Sequence, residues 1–171
     1  HLIKQFHSTL CQNLSFYEFQ IANPEYIQVD NMIKDDYDNL LRSFIKNSKS
    51  THMKILYNMP NYFKNVVNKI NIGAKYGAPL ERLEQIDESI KMIQKLYSME
   101  MGEECSDDDL NSLLIYVILL AKIPDLESLS KYIEHFLISK ESTVVILNDE
   151  EQKIVQLFLN ASSQIGWLIF N

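Results

Sequence analysis

A chain of 171 residues, 46% hydrophobic and 23% charged, has the length of one domain and enough apolar side chains to bury a core. A formal charge of -7 and a pI near 5.1 exclude a protein that seeks nucleic acid or anionic lipid through an overall basic surface. Four glycines and four prolines are too few for a sandwich or barrel with frequent tight turns, which leaves long helices.

From Met32 onward, Ile33, Tyr37, Leu40, Leu41, Phe44 and Ile45 recur at three- and four-residue spacing and predict one amphipathic helix. The polar run from Lys46 to Thr51 breaks it. Met53 to Ile70 resumes helical spacing, with Pro60 as a kink or boundary. Gly73 and Gly77-Ala78-Pro79 read as a stop and a restart. Pro79 suits the first turn of the next helix, where Leu80, Leu83, Ile86, Ile90, Ile93 and Leu96 form a continuous stripe. Gly102, Glu103 and Glu104 close a loop before a helix from Ser106 to Lys122, which Pro124 ends. Leu126, Leu129, Ile133, Phe136 and Leu137 predict a short helix. The polar and β-branched stretch from Ser139 to Asn148 reads equally as loop or as a brief extended segment. A last helix, about Asp149 to Ile169, aligns Ile154, Phe158, Ala161, Ile165 and Leu168. The expected fold is all-α, with about six or seven helices and with Leu80, Leu83, Ile90, Leu114, Ile118, Ile133, Phe158 and Ile165 in one core.

Neither Cys11 nor Cys105 belongs to a CxxC or to a Cys/His cluster with metal spacing, so both read as reduced thiols of a cytosolic protein. His1, His7, His52 and His135 are dispersed, with no HExxH and no Gly-rich phosphate loop; surface or packing roles, and no metal, are expected of them. The opening His1 to Phe6 has neither an initiator methionine nor a signal-peptide pattern and reads as the start of a fragment. The strongest apolar run, Leu113 to Ala121, falls far short of the roughly 20 residues a bilayer span needs. The apolar segment Ile154 to Phe170 is interrupted by Gln156, Asn160, Ser162, Ser163 and Gln164, which makes it amphipathic.

The informative stretch is Ser106-Asp107-Asp108-Asp109-Leu110-Asn111-Ser112-Leu113-Leu114-Ile115-Tyr116-Val117, followed by Ile123-Pro124 and by Tyr132-Ile133-Glu134-His135-Phe136. Taken alone, the acids read as a helix cap. Ser106 and Asp109 fit a capping box, and each acid in a first turn gains about 0.3 to 1 kcal/mol from the positive helix end. Leu113, Leu114, Val117, Ile118 and Leu120 read as core, or in part as an apolar groove. Tyr116 and Tyr132 read as packing residues whose hydroxyls reach the surface.

An acidic pair opening a helix, an apolar Leu-Ile-Tyr-Val core, a following proline and a Tyr-Ile-x-x-Phe helix resemble the signature of the vacuolar-protein-sorting-nine (VPS-nine) domain, nearest to its Varp-like branch. The resemblance runs from about Pro79 to Phe136 and on toward Ile169, which marks 1–78 as an N-terminal helical part and 79–171 as the motif-bearing helices of one domain. It implies a layered helical fold and guanine-nucleotide exchange on an endosomal Rab GTPase of the Rab-five or a neighbouring subfamily. The family's spacing back from Tyr116 places its aspartate finger on Asp108. Asp109, Asn111, Ser112, Leu157 and Asn160 are the implied partner-binding residues. Relatives need no cofactor of their own, and the magnesium involved belongs to the GTPase. The implied setting is cytoplasmic and peripheral on endosomal membranes, with a Rab GTPase and other subunits of a trafficking complex as partners, and with no nucleic acid and no membrane span. This chain departs from the family in two places. Ser112 stands where a proline is usual, and Leu157 and Asn160 occupy the positions of a Tyr-x-x-Thr motif. The departures at Leu157 and Ser112 motivate a second expectation, a degenerate, exchange-inactive domain that serves as a Rab-binding or assembly scaffold. A third is an unrelated helical adaptor.

Overall fold

The computed structural model describes residues 2–3, 16–138 and 146–170, so His1, His7 and Cys11 lie outside the described residues, as does 139–145, most of the stretch left open between loop and extended segment. Among the described residues the chain forms eight numbered α-helices and no strand. They are α1 (Phe16–Ala22), α2 (Pro24–Asn47), α3 (Thr51–Tyr57), α4 (Lys64–Lys75), α5 (Pro79–Met101), α6 (Asp107–Ala121), α7 (Leu126–Leu137) and α8 (Asp149–Phe170), with a 3-10 turn at Pro60–Phe63 between α3 and α4.

The boundaries follow local chemistry. Pro24 and Pro79 open α2 and α5, where a missing N–H costs nothing because first-turn donors have no intrahelical partner. The Ala78 N–H donates to the Glu81 carboxylate at 2.8 Å, and Gly102 ends α5 in the left-handed region at φ 73°. α8 starts with a reciprocal box: Glu151 N–H donates to Asn148 Oδ1 at 2.8 Å and Asn148 N–H to Glu151 Oε1 at 3.1 Å. α7 is capped from a distance. Asp30 of α2 accepts the backbone N–H groups of Glu127 at 2.7 Å and Ser128 at 3.2 Å on one oxygen, and the Ser128 hydroxyl on the other.

α6 occupies the middle of the fold, packed against α2, α4, α5 and α8. Its Leu110 and every residue from Leu113 to Leu119 are at most 3% exposed, so the helix is wrapped on nearly all sides. Leu80, Leu83, Ile90, Leu114, Ile118, Ile133, Phe158 and Ile165 all belong to the same buried cluster, which also takes Ile33, Tyr37 and Phe63 from the N-terminal part. Leu120 is half-buried against that cluster.

The boundary expected at Pro60 is present: Asn58, Met59 and the 3-10 turn divide α3 from α4. Three sequence expectations need correction. α2 begins at Pro24 rather than Met32, and the short α1 precedes it. Gly73 does not stop a helix: it lies buried inside α4, where a Cβ would stand 2.8 Å from the Gln85 Cβ of α5. The Tyr116 hydroxyl does not reach the surface; it donates to the Tyr57 carbonyl at 3.0 Å, an acceptor left open where α3 ends. Tyr132 is likewise buried and lies, with Phe16, against the Arg82 guanidinium, at 5.5 and 4.7 Å from the two ring centres. Arg82 in turn donates to the carbonyls of Gly73, Ala74 and Gly77 at the end of α4. Among the described residues, no helix is long and apolar enough to cross a membrane.

Candidate functional site

The first turn of α6 carries Asp107, Asp108 and Asp109. Ser106 caps it, its hydroxyl accepting the Asp109 N–H at 3.1 Å, as the sequence spacing predicts. The three carboxylates nevertheless have different surroundings. Asp107 is exposed and lies 3.5 Å from the Lys153 ammonium of α8, a long contact between solvated groups that contributes little. Asp109 points inward: its Oδ2 accepts the Tyr97 hydroxyl at 2.9 Å and stands 3.3 Å from His52 Nε2. Asp108 is exposed and forms no hydrogen bond or ion pair with the other described residues.

Beside Asp108 lies a groove of about 380 Å³. One wall is the α6 turn, with Asp108, Asp109 and Ser112; the opposite wall comes from the end of α2 and the start of α3, including Phe44, Lys49, Met53 and Tyr57. Leu168 of α8 completes it. Ser112 and Tyr57 face each other across this groove, and burial pushes the Tyr57 phenol up to about 12.

The other implied residues divide between two faces of α8. Leu157 is half-buried against the core, on the same helical stripe as Lys153, Gln164 and Leu168. Asn111 reaches that stripe, its Nδ2 donating to Gln164 Oε1 at 3.4 Å. Asn160 is exposed and rotated from Leu157 by about 60° around the helix axis. It lines a separate groove of about 520 Å³ with Val29, Lys131 and Trp167. The structure thus brings Asp108, Asp109 and Ser112 together, sets Asn111 and Leu157 on the adjoining α6–α8 contact, and leaves Asn160 apart.

Sequence reasoning missed Tyr97, His52, Lys153 and Leu168 as parts of this region. Tyr97 was within reach, because it continues the apolar stripe of Ile86, Ile90 and Ile93, and a hydroxyl on a buried stripe requires a partner. His52 gave no signal; only folding carries it to a residue 57 positions away.

The first turn of α6 thus sets an exposed acid, without a partner among the described residues, at the lip of an open groove. The model of the vacuolar sorting protein 9 (VPS9) domain family matches residues 63–166, and the chain belongs to that family. The match starts at Phe63, upstream of Pro79, and contains all of α6 and α7; the α2–α3 wall of the groove lies outside it. Neither a curated protein nor a solved structure matches the chain. Guanine-nucleotide exchange on small Rab GTPases is the general activity of the family, and a Rab GTPase is the partner that membership implies.

Proposed function

We propose that this domain exchanges nucleotide on an endosomal Rab GTPase of the Rab-five or a neighbouring subfamily, from a cytoplasmic position peripheral to the endosomal membrane, with Asp108 as the finger. The observation that carries the reading is the isolation of Asp108: of the acids in its turn it alone is exposed with no partner among the described residues, at the lip of the groove. A carboxylate with no internal partner has no bond to give up on entering a partner's site. Placed where a phosphate and its magnesium belong, it repels the phosphate and attracts the phosphate-binding lysine of the GTPase. No covalent bond forms or breaks; exchange is the stabilisation of the nucleotide-free GTPase by differential binding. Asn111, Ser112 and Leu157 border the proposed contact, and Asn160 would meet a partner only at the far edge of the footprint.

The test is release of a fluorescent GDP from a panel of Rab GTPases. Asp108→Ala should slow release at least tenfold, equivalent to about 1.4 kcal/mol of transition-state stabilisation, while Asp107→Ala stays within about twofold of wild type. Release by Asp108→Ala at the wild-type rate would reduce the acid to a cap. One observation favours the scaffold alternative: Leu157 lies half-buried and offers no hydroxyl to a switch region. Under that reading no Rab loses nucleotide faster in the presence of the domain, and binding shows no preference for the empty GTPase.

A further inference from the structure

We propose that Asp109 is a positioning residue, one that holds the first turn of α6 so that Asp108 is presented in a fixed direction, and that it is not itself a contact for the GTPase. The proposal rests on the reading of Asp108 as the finger. The first N–H groups of a helix have no carbonyl below them, so a helix start frays unless side chains hold it. Here the restraint passes through Asp109. Its backbone N–H is bound by Ser106, and its carboxylate, 21% exposed, meets donors from two other helices. Tyr97 of α5 is 1% exposed, and its hydroxyl lies between Asp109 at 2.9 Å and Glu103 at 3.2 Å. Burial, with these two carboxylates, pushes the phenol well above its ordinary range and keeps its proton in place as a donor. His52 of α3 stands on the other side, its Nδ1 2.9 Å from the hydroxyl of Ser50, which caps α3. One carboxylate therefore connects α3, α5 and α6 at the residue next to Asp108. A group engaged from both sides is poorly placed to leave for a partner, whereas Asp108, one position earlier, is free to do so.

Tyr97→Phe removes the hydroxyl and keeps the buried ring, so it loosens the restraint with little change to the core. In the same release assay it should slow exchange at least threefold when Asp108 is present and have no further effect in the Asp108→Ala background, the non-additivity expected of groups acting through one another. A loss of stability alone would reduce both backgrounds equally. Amide hydrogen exchange on the domain by itself provides a second measure. The Asp109 and Leu110 amides, bound to the Ser106 hydroxyl and carbonyl, should exchange at least tenfold faster in Tyr97→Phe, with Leu114 to Ile118 unchanged. Unchanged amides, or equal losses in both backgrounds, beside a defective Asp108→Ala would overturn the positioning role and leave the finger reading intact. Full release by Asp108→Ala, or no release by wild type from any Rab, would overturn both.

Discussion

The distant cap on α7 offers the sharpest test of the physical reasoning. Asp30 is 2% exposed, and burial outweighs its hydrogen bonds to Ser128 and Glu127, raising its carboxyl from 3.8 to about 6. An acid whose folded value lies above its unfolded value is bound more tightly to its proton in the folded state. Its contribution to stability therefore falls as pH rises through that window and is recovered as pH falls. The full shift corresponds to about 3 kcal/mol of penalty at pH 7.5, which shrinks to about 1 kcal/mol at pH 4.5. Because both backbone donors use the same Asp30 oxygen, the other oxygen can carry a proton without loss of either bond. Asparagine reproduces that arrangement, with its carbonyl accepting both N–H groups and its amide donating to the Ser128 hydroxyl. Asp30→Asn should thus stabilise the domain by about 3 kcal/mol at pH 7.5 and by about 1 kcal/mol at pH 4.5. Urea unfolding followed by circular dichroism at the two pH values measures the difference. An Asp30→Asn variant less stable than wild type by the same amount at both pH values would refute the argument.

Leu157→Tyr should raise Rab nucleotide release or leave it unchanged, since the side chain is only half-buried and a phenol there adds a hydrogen-bonding group; a large fall in release would show that the site needs the apolar side chain. Gly73→Ala should cost about 1 to 3 kcal/mol, seen as a lower thermal midpoint, because the new methyl would meet the rigid Gln85 Cβ at 2.8 Å. Burial, then Asp109 and Asp107, push the Cys105 thiol up to about 11. In a Cys11→Ser background its alkylation should be far slower than that of free cysteine at pH 7.5 and should accelerate about tenfold per pH unit up to pH 10.

Elements bracketed by strong local signals were legible. α5 lies between Pro79 and Gly102 and carries an unbroken stripe, and α6 opens at a capping serine with an acid in reach. The exposed position of Asp108 in that first turn also followed from local order. α1 was hidden because seven residues with a single buried side chain, Phe19, make no recurring pattern. Gly73 misled because a helix–helix approach, not a turn, calls for the missing Cβ there. The same distinction applies at the site. The Ser106 cap is a relation across three residues, whereas the tethers from Tyr97 and His52 and the separation of Asn160 from Asp108 exist only after α3, α5 and α8 have packed.

The helix that carries Asp108 is enclosed along its length by α2, α4, α5 and α8 and ends in a left-handed Lys122 whose ammonium lies 2.8 Å from Asp38. A rod gripped in this way cannot slide or swing without repacking most of the interior, and close-packed interiors resist such displacement. On the proposed reading of Asp108 as the finger, the movement would belong to the partner: the GTPase would have to open its own nucleotide site to admit an acid that stays in place, and the ease with which each Rab deforms would govern which of them this domain acts on.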